Sequence, residues 1–486
     1  MKVTLVLPDI RTTVAGYSGA FSHAVAYLSR YLKNAGHSVD LLQITRAPSK
    51  REFQVEIERR NADVLGFSSI YHFFPLVRQW ADWSKEVSSA PIVVGGVHAT
   101  LSPDDVISHP SIDMLCRGEG ERAFPELCEA LARGVRPVGI ENIWYKENGV
   151  IVRNEMRPLV RDLDKLDFPD YSIHDYKELF FSRTNVLSVM ISRGCPYGCH
   201  YCLSRALTEV YSGRGHFYRF LSPERAAELL VFLKRSYPNT GSFVFNDSIL
   251  FPNKSWLEKF VALYKRGVGL PFVANCRPEM IDRDVALMLR EMNCRIVCFG
   301  LESGNEQINR LILGRGMTKE VIRRAFDEVH RCGIRTVCYS ILGSPFETRG
   351  TLLETVKFVA SLRPEIATPF IFYPFPGTRA YEISKTFGFL SDRHFLNNDD
   401  GVMIEQPGVT EREVLFFHAY YKRLVWAYGL LYRLGGPLRV FIVRVLDGLL
   451  LAHYLPLRPL LVLKRFLRNA RWRVQLARGK QSAAKI

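Results

Sequence analysis

The 486-residue chain has no long uninterrupted hydrophobic run and few cysteines for its length. No stretch reaches the roughly 18 apolar residues that a membrane-spanning helix requires. Ten cysteines do not make a disulfide scaffold, which favours a reducing, cytoplasmic compartment. The N-terminal apolar run, five residues long before Pro8, is too short for a secretory signal and is better interpreted as a first buried strand.

Acidic residues are scarce, but only at one end of the chain. The whole sequence carries 65 Lys and Arg against 49 Asp and Glu, a net charge of +16. From Val414 to Ile486 there are 14 basic residues and one acid, Asp447, so this segment alone contributes +13. It is also rich in Leu, Val and Phe at helical spacing, and its longest uncharged run, Gly448–Leu457, has ten residues. We expect either amphipathic helices at the inner face of a membrane or a helical cap on the protein body, and no nucleic-acid partner.

Hydrophobic residues make up 47% of the chain, which is typical of a globular protein and excludes disordered and collagen-like classes. The length predicts about three domains. Over residues 1–140 short apolar runs alternate with helical segments, which predicts an α/β domain with a doubly wound, Rossmann-like parallel sheet. The predicted strands are Val3–Leu7, Val39–Leu42, Val64–Phe67, Ile92–Val94 and Ile112–Leu115.

Small and acidic residues follow three of these strands, at the sheet edge where such folds bind ligands. They are Ser68, Ser69, Gly95, Gly96, His98, Gly118, Glu119, Gly120 and Glu121. Glycines there let the backbone approach a large ligand, so we expect a ligand crevice. The GxGxxG dinucleotide fingerprint is absent after the first strand, and His23 is expected to be a polar surface residue.

A connecting segment is predicted over residues 141–185, beginning with a hairpin that turns at Asn148-Gly149 and continuing as an Asp- and Pro-rich stretch. Strand-like runs then alternate with helical segments over residues 186–385. These runs are Asn185–Ser192, Phe243–Asn246, Pro271–Asn275, Ile296–Gly300, Thr336–Leu342 and Ala367–Phe372. Polar residues follow several of them, including Asn246, Asp247, Arg277, Glu302 and Ser303.

Three cysteines lie within eight residues in the sequence CPYGCHYC: Cys195, Cys199 and Cys202. The CxxxCxxC spacing lacks the second CxxC pair of a zinc ribbon, and His200 is interpreted as a spacer within the loop. Three thiolates on a glycine-bearing loop suit a soft metal or an iron–sulfur cluster. Three ligands on four irons leave one iron open to chelate a substrate.

This motif after a first barrel strand, with Tyr201 before the last cysteine, resembles the radical S-adenosylmethionine (SAM) superfamily. The glycine-bearing turns resemble the N-terminal cobalamin-binding domain of its cobalamin-dependent members. The resemblance implies a partial (β/α)6 barrel over residues 186–385, a helical region over residues 386–486 and three cofactors: a 4Fe–4S cluster, SAM and cobalamin. Because the first turn lacks the Asp-x-His-x-x-Gly signature of cobalamin mutases, we expect no protein imidazole on cobalt.

The resemblance also implies residue roles. The cluster is expected on Cys195, Cys199 and Cys202, and cobalamin on the nine turn residues named above. SAM is expected on Tyr201, Asn246, Asp247, Glu302, Ser303 and Arg315.

The implied activity is methyl transfer to an unactivated carbon. The cluster would cleave SAM to a 5′-deoxyadenosyl radical, methylcobalamin would supply the methyl group, and the apolar tail suggests a lipid-like or natural-product substrate. The partners implied are that small molecule and a low-potential electron donor such as a flavodoxin or ferredoxin. Two alternatives stay open: an oxidoreductase or cyclase of the anaerobic magnesium-porphyrin type, and a non-catalytic corrinoid-binding, membrane-associated protein.

Overall fold

The structure is a computed structural model that describes residues 1–452 except Thr12, Thr13, Ala15 and 181–183. The last part of the basic tail, residues 453–486, therefore lies outside the described residues. Along the chain, the described residues form two α/β domains, each built on one main sheet, followed by two long helices.

The N-terminal sheet has seven strands. They are β1 (Lys2–Pro8), β2 (Ser38–Ile44), β3 (Val64–Ser68), β4 (Ile92–Gly95), β5 (Met114–Cys116), β6 (Ile143–Glu147) and β7 (Val150–Arg153), arranged in the order β2-β1-β3-β4-β5-β6-β7. The helices are α1 (His23–Asn34), α2 (Lys50–Arg60), α3 (Phe74–Lys85), α4 (Val97–Leu101), α5 (Pro103–Ser108) and α6 (Ala123–Ala132). The first five strands are parallel, and apolar residues fill a core on each side of the sheet, as predicted for a doubly wound domain.

The hairpin assigned to the connecting segment belongs to this sheet. β6 pairs antiparallel with β5, and β7 pairs antiparallel with β6. The sheet is therefore mixed rather than wholly parallel, and the N-terminal domain extends to Arg153 instead of ending at residue 140. A hairpin can be recognised from its turn, but the outer strand that it joins is set by tertiary packing.

Six parallel strands form the second sheet. They are β8 (Val186–Val189), β11 (Ser242–Phe245), β12 (Phe272–Cys276), β13 (Cys294–Glu302), β14 (Arg335–Leu342) and β15 (Ile366–Ile371), and they are adjacent in chain order. A short antiparallel pair, β9 (Ser192–Arg193) with β10 (Arg219–Phe220), lies beside the cysteine loop. The helices are α7 (Leu203–Val210), α8 (Pro223–Ser236), α9 (Lys254–Gly267), α10 (Arg283–Glu291), α11 (Lys319–Arg331), α12 (Arg349–Leu362) and α13 (Arg379–Thr386). This parallel six-strand core confirms the predicted fold class.

Buried ion pairs around Glu119 join the two sheets. Its Oε1 accepts hydrogen bonds from Arg193 at 2.7 Å and from Arg219 at 2.8 Å, and Arg193 also pairs with Glu121. Burial alone would raise the pKa of Glu119, but the guanidinium groups of Arg193 and Arg219 lower it to about 2. Arg193 lies two residues before Cys195, so these pairs tie the first domain to the cysteine loop.

The chain ends its described part in α14 (Glu411–Leu431) and α15 (Gly436–Leu451). α14 packs on α12 and β15, buries Phe417 and Tyr428, and Tyr421 donates a hydrogen bond to Ser340 on β14 at 2.7 Å. The helical-cap alternative is therefore confirmed for α14. Among the described residues, no helix has the length and apolar character needed to cross a bilayer.

Truncation of Phe417 to Ala should lower the melting temperature of the protein, because the ring is fully buried between α14 and the barrel. Loss of a buried aromatic side chain costs about 3–5 kcal/mol. Trp426→Ala on the same helix is the matched control, since this ring is 70% exposed and its loss should change stability by less than about 0.5 kcal/mol. Equal melting temperatures for the two variants would contradict the packing of α14 described above.

Glu119→Gln should destabilise the protein at pH 7 by about 3–5 kcal/mol, because it leaves buried guanidinium charge without its partner. Since the folded-state pKa lies below the ordinary value of 4.5, the stability due to this carboxylate is present above pH 4.5 and is lost as the pH falls towards 2. Melting curves of the cofactor-free chain across this range should show the wild type and variant converging in acid. Glu209→Gln, which removes an exposed ion pair with Arg205, should leave the curve unchanged.

Candidate functional site

The first barrel strand leads directly into the cysteine loop, and one buried carboxylate holds the turn between them. Asp247, which follows β11, accepts the backbone N–H of Ile191 at 2.9 Å and the hydroxyl of Ser192. Burial raises the pKa of Asp247 to about 7, against these hydrogen bonds, and its Oδ2 has no hydrogen-bond partner among the described residues. We predicted Asp247 as a SAM contact; in the structure its Oδ1 positions the segment before Cys195.

The cysteine loop begins at a position that only glycine fits. Gly194 has a φ of +80°, and a Cβ there would lie 2.3 Å from the carbonyl oxygen of Phe217. Cys199 is buried, whereas Cys195 and Cys202 are partly exposed. In the described part of the chain, no three His, Cys, Asp or Glu side chains are grouped to hold a single metal ion. Three thiols on one glycine-bearing loop fit a cluster in which each thiolate binds a different iron.

Two guanidinium groups contact the buried sulfur. Nη1 of Arg277 lies 3.2 Å from Sγ of Cys199, and Nη1 of Arg315 lies 3.7 Å from the same atom. Arg277 also covers the ring of Tyr197, with 3.7 Å between the guanidinium carbon and the ring centre, and pairs with Glu279 at 2.6 Å. Positive charge beside thiolates stabilises anionic sulfur, so this environment fits an anionic iron–sulfur cluster.

Tyr201, Glu302 and Arg315, all predicted as SAM contacts, come together beside Cys199. The Tyr201 hydroxyl donates to Glu302 Oε1 at 2.8 Å, and Nη1 of Arg315 lies 3.3 Å from that hydroxyl and 3.6 Å from the carboxylate. A shift in the β13–β14 register next to Gly300 and a φ of +68° at Glu302 direct this carboxylate. Burial raises the pKa of Glu302, while the charge of Arg315 opposes the shift. The group is a preformed polar cluster at the end of β13.

The other two predicted SAM contacts lie elsewhere. Ser303 is buried, and its backbone N–H donates to Asn309 at 3.3 Å while its hydroxyl lies 3.4 Å from that of Thr355 on α12. Asn246 is exposed and donates a hydrogen bond to the hydroxyl of Ser188 at 2.5 Å. The structure therefore brings three of the predicted residues together at Cys199 and places Ser303 within the packing between β13 and α12.

A largely apolar cavity of about 350 Å³ lies between the two domains. Seven of the predicted cobalamin residues line it: Ser68, Gly95, Gly96, Gly118, Glu119, Gly120 and Glu121. The opposite wall comes from the barrel and includes Met190–Gly194, the segment directly before the cysteines, together with Tyr211 and Arg219. Gly118 has a φ of +74°, and a Cβ there would lie 2.0 Å from the Tyr211 hydroxyl oxygen, so this glycine is required by the contact between domains.

Two of the predicted cobalamin residues do not line this cavity. Ser69 faces a neighbouring crevice of about 720 Å³ that shares Ser68 and Gly96 with it. His98 is buried, its Nε2 lies 2.9 Å from Asp105, and its ring packs against Phe74. The side chain of His98 thus joins α4 to α3 and α5, which its position after a glycine turn does not reveal.

His23, expected at the surface, is buried at the wall of the interdomain cavity. Its Nε2 lies 2.9 Å from the hydroxyl of Ser188 on the first barrel strand, and its Nδ1 has no hydrogen-bond partner in the described structure. Burial lowers the pKa of His23 to about 3, so the imidazole is neutral at pH 7. A buried polar atom without a partner at the cavity wall fits an amide-rich ligand such as cobalamin.

Sequence reasoning missed Arg193, Arg219 and His23 and treated Arg277 only as one of several polar residues after strands. The signal for Arg193 and Arg277 was their position: one directly precedes the glycine and cysteine of the loop, and the other follows a barrel strand. Nothing in the sequence around His23 or Arg219 indicated that they face the other domain.

Comparisons with known proteins find a family match in each of the two domains. Residues 14–128 match the B12 binding domain family, and residues 189–359 match the radical SAM superfamily. An uncharacterized methyltransferase of Pyrococcus horikoshii is 28% identical over 390 residues, which cover 79% of this chain and 83% of that protein. The anaerobic magnesium-protoporphyrin IX monomethyl ester cyclase of Rubrivivax gelatinosus is 26% identical over 390 residues, covering 77% and 68%. The hopanoid C-3 methylase of Methylococcus capsulatus is 25% identical over 367 residues, covering 72% and 66%.

The fold is shared with a solved structure of OxsB, a cobalamin-dependent SAM radical enzyme with aqua-cobalamin bound. The TM-score is 0.68 at 16% identity, over 92% of this chain and 71% of that one. A chain in which a B12 binding domain precedes a radical SAM domain belongs to the cobalamin-dependent radical SAM enzymes, and its cofactors are a 4Fe–4S cluster, SAM and cobalamin.

Proposed function

We propose that this enzyme is a methyltransferase that methylates an unactivated carbon of a lipid-like substrate. The observation that carries the proposal is the interdomain cavity, because one wall holds the glycine-bearing turns and the other holds the segment that enters the cysteine loop. A cobalamin bound at the turns would then lie close to the SAM-binding end of the barrel. When bound, the cluster supplies the electron that cleaves SAM, and cobalamin supplies the methyl group.

In this proposal Cys195, Cys199 and Cys202 hold the cluster, and Arg277 and Arg315 balance its negative charge at Cys199. The Tyr201–Glu302–Arg315 cluster would hold SAM next to the cysteine loop, and in the structure Glu302 accepts a hydrogen bond from Tyr201. Asp247 positions the start of the loop through Ile191 and Ser192. The interdomain cavity is largely apolar, so it excludes water from reactive groups at the barrel end.

Glu119 and Glu121 orient Arg193 and Arg219 rather than binding cobalamin with free carboxylates. The cobalamin contacts of this region then come from the backbone of Gly95, Gly96 and Gly120. His23 adds one hydrogen-bonding atom, Nδ1, at the same wall.

Two of the relatives support methyl transfer, since they are named as methyltransferases, and the hopanoid methylase acts on a lipid. The similarity to the magnesium-protoporphyrin cyclase favours an oxidative cyclase as the second candidate. The reductant would be a low-potential flavodoxin or ferredoxin.

The two candidates differ in their products from SAM. The anaerobic, reconstituted enzyme should form S-adenosylhomocysteine together with 5′-deoxyadenosine when it turns over a lipid-like substrate such as a hopanoid or another terpenoid. Liquid chromatography with mass detection measures both products and the mass gain of one methyl group in the substrate. Formation of 5′-deoxyadenosine without S-adenosylhomocysteine, accompanied by an oxidised substrate, would support the cyclase instead.

Cys199→Ala should remove the cluster, because Cys199 is the buried ligand of the loop and its sulfur is the one that both arginines contact. We expect iron and sulfide content to fall to background and SAM cleavage to fall by more than about 100-fold, while cobalamin binding is retained. Cys332→Ala is the matched control, since Cys332 follows α11 and lies away from the loop in sequence. A Cys195→Ala protein that no longer cleaved SAM but kept the full biological function of the chain would instead support a non-catalytic corrinoid-binding role.

A further inference from the structure

Helix α15 is apolar on two faces, although only one of them packs on the protein. On the inner side Leu450 is buried, Val443 and Leu446 pack against the barrel core, and Asp447 accepts hydrogen bonds from Lys357 and Tyr428 at 2.6 Å each. On the outer side four apolar residues recur at helical spacing and are exposed: Leu438 (62%), Phe441 (66%), Val445 (47%) and Leu449 (57%). A helix that is apolar on both sides normally has a partner on both sides.

Further apolar side chains are exposed near the end of α14 and in the turn between the helices. They are Trp426 (70%), Leu430 (49%) and Leu434 (40%). Together with the α15 stripe they form what we call the outer apolar face: Trp426, Leu430, Leu434, Leu438, Phe441, Val445 and Leu449. An exposed apolar surface of this extent marks an interaction site with a protein or a membrane.

The charges around the outer apolar face favour a membrane. Arg439 and Arg444 are exposed and fall on opposite sides of the α15 stripe at about 3.6 residues per turn. Such flanking arginines extend their charged ends to head groups while the helix lies in the interface. Residues 453–486, which continue from α15 and lie outside the described part, contain nine Lys or Arg and no acidic residue in their sequence.

A basic groove lies between α11, α12, α14 and α15, on the side of α15 that carries Asp447 and Leu451. Its walls include five basic residues: Lys319, Arg323, Lys357, Arg363 and Arg433. Lys319 pairs with Glu354 at 2.5 Å and Lys357 with Asp447 at 2.6 Å. Among the described residues, no acidic side chain lies within ion-pair distance of Arg323, Arg363 or Arg433. These three arginines leave the groove with excess positive charge.

We propose that α14 and α15 dock on a membrane, with the α15 stripe in the acyl boundary and anionic phospholipid head groups bound by Arg439, Arg444 and the arginines of the groove. The chemistry recognised is an acyl chain next to a phosphate, which a lipid bilayer presents and a soluble protein partner does not. This inference concerns where the enzyme sits and does not depend on the reaction that it catalyses.

Flotation of the full-length protein with lipid vesicles tests the apolar part of the surface. We expect the wild type to bind vesicles of phosphatidylcholine mixed with phosphatidylglycerol. A variant with serine at 438, 441, 445 and 449 should bind at least about tenfold more weakly. The control carries serine at four other exposed apolar positions, Val135, Val138, Val150 and Leu287, and should bind as the wild type does.

The groove is tested by replacing Arg323, Arg363 and Arg433 with Gln. Affinity for the anionic vesicles should fall by about fivefold for each charge, and the loss should shrink at high salt, while binding to pure phosphatidylcholine is unchanged. The control replaces three exposed arginines of the barrel helices, Arg235, Arg266 and Arg290, with Gln. An equal loss in both triple variants would show a nonspecific effect of net charge and would overturn the assignment of the groove.

Three other outcomes would overturn the docking surface itself. Vesicle binding that survives the four serine substitutions would assign membrane attachment to residues 453–486. No vesicle binding by the wild type, with a concentration-dependent dimer that the serine variant loses, would assign the face to a second copy of this chain. If the wild type and the serine variant both fail to bind vesicles and both are monomers, the partner of the face is neither a bilayer nor a second copy of this chain.

Discussion

The two domains of this enzyme are held in one geometry by the buried carboxylate of Glu119. Glu119 accepts hydrogen bonds from Arg193, which precedes the cysteine loop, and from Arg219. Arg219 lies on β10, which pairs with β9, the short strand that contains Arg193. A relative shift of the domains that keeps this region buried would separate the carboxylate from two guanidinium groups, which is far costlier than losing surface ion pairs. The width of the interdomain cavity, and with it the distance between the glycine-bearing turns and the barrel end, depends on this contact.

Buried charges are also paired at the cysteine loop. Thiolates and a buried glutamate would repel one another in a dry site, but Arg277 and Arg315 place positive charge at Cys199 and at the Tyr201–Glu302 pair. The cluster and SAM would therefore enter a site whose electrostatics are already compensated. Asp247 holds the loop by hydrogen bonding rather than by charge, consistent with a pKa that burial raises to about 7.

The net charge of +16 is concentrated where the chain ends, and the structure divides that segment into parts with different roles. α14 is a packed helix whose buried face includes Phe417 and Tyr428. α15 packs through Leu450 and Asp447 and leaves an apolar stripe outside. The two sequence hypotheses, a helical cap and a membrane-associated helix, thus apply to successive stretches of the same segment, the second as a proposal.

The sequence by itself determined the fold class, the cysteine triad, and the edge of the first sheet where a ligand crevice lies. These features are local, because hydrophobic periodicity, motif spacing and glycine turns each depend on residues that are close together in the sequence. Gly194 and Gly118 lie where a side chain would clash. Tertiary structure decided which polar residues meet. It brought Tyr201, Glu302 and Arg315 together, buried His98 against Phe74, paired Glu119 with arginines 74 and 100 residues away, and added the hairpin to the first sheet. Such partners depend on contacts between segments far apart in the chain, and no local pattern in the sequence encodes them.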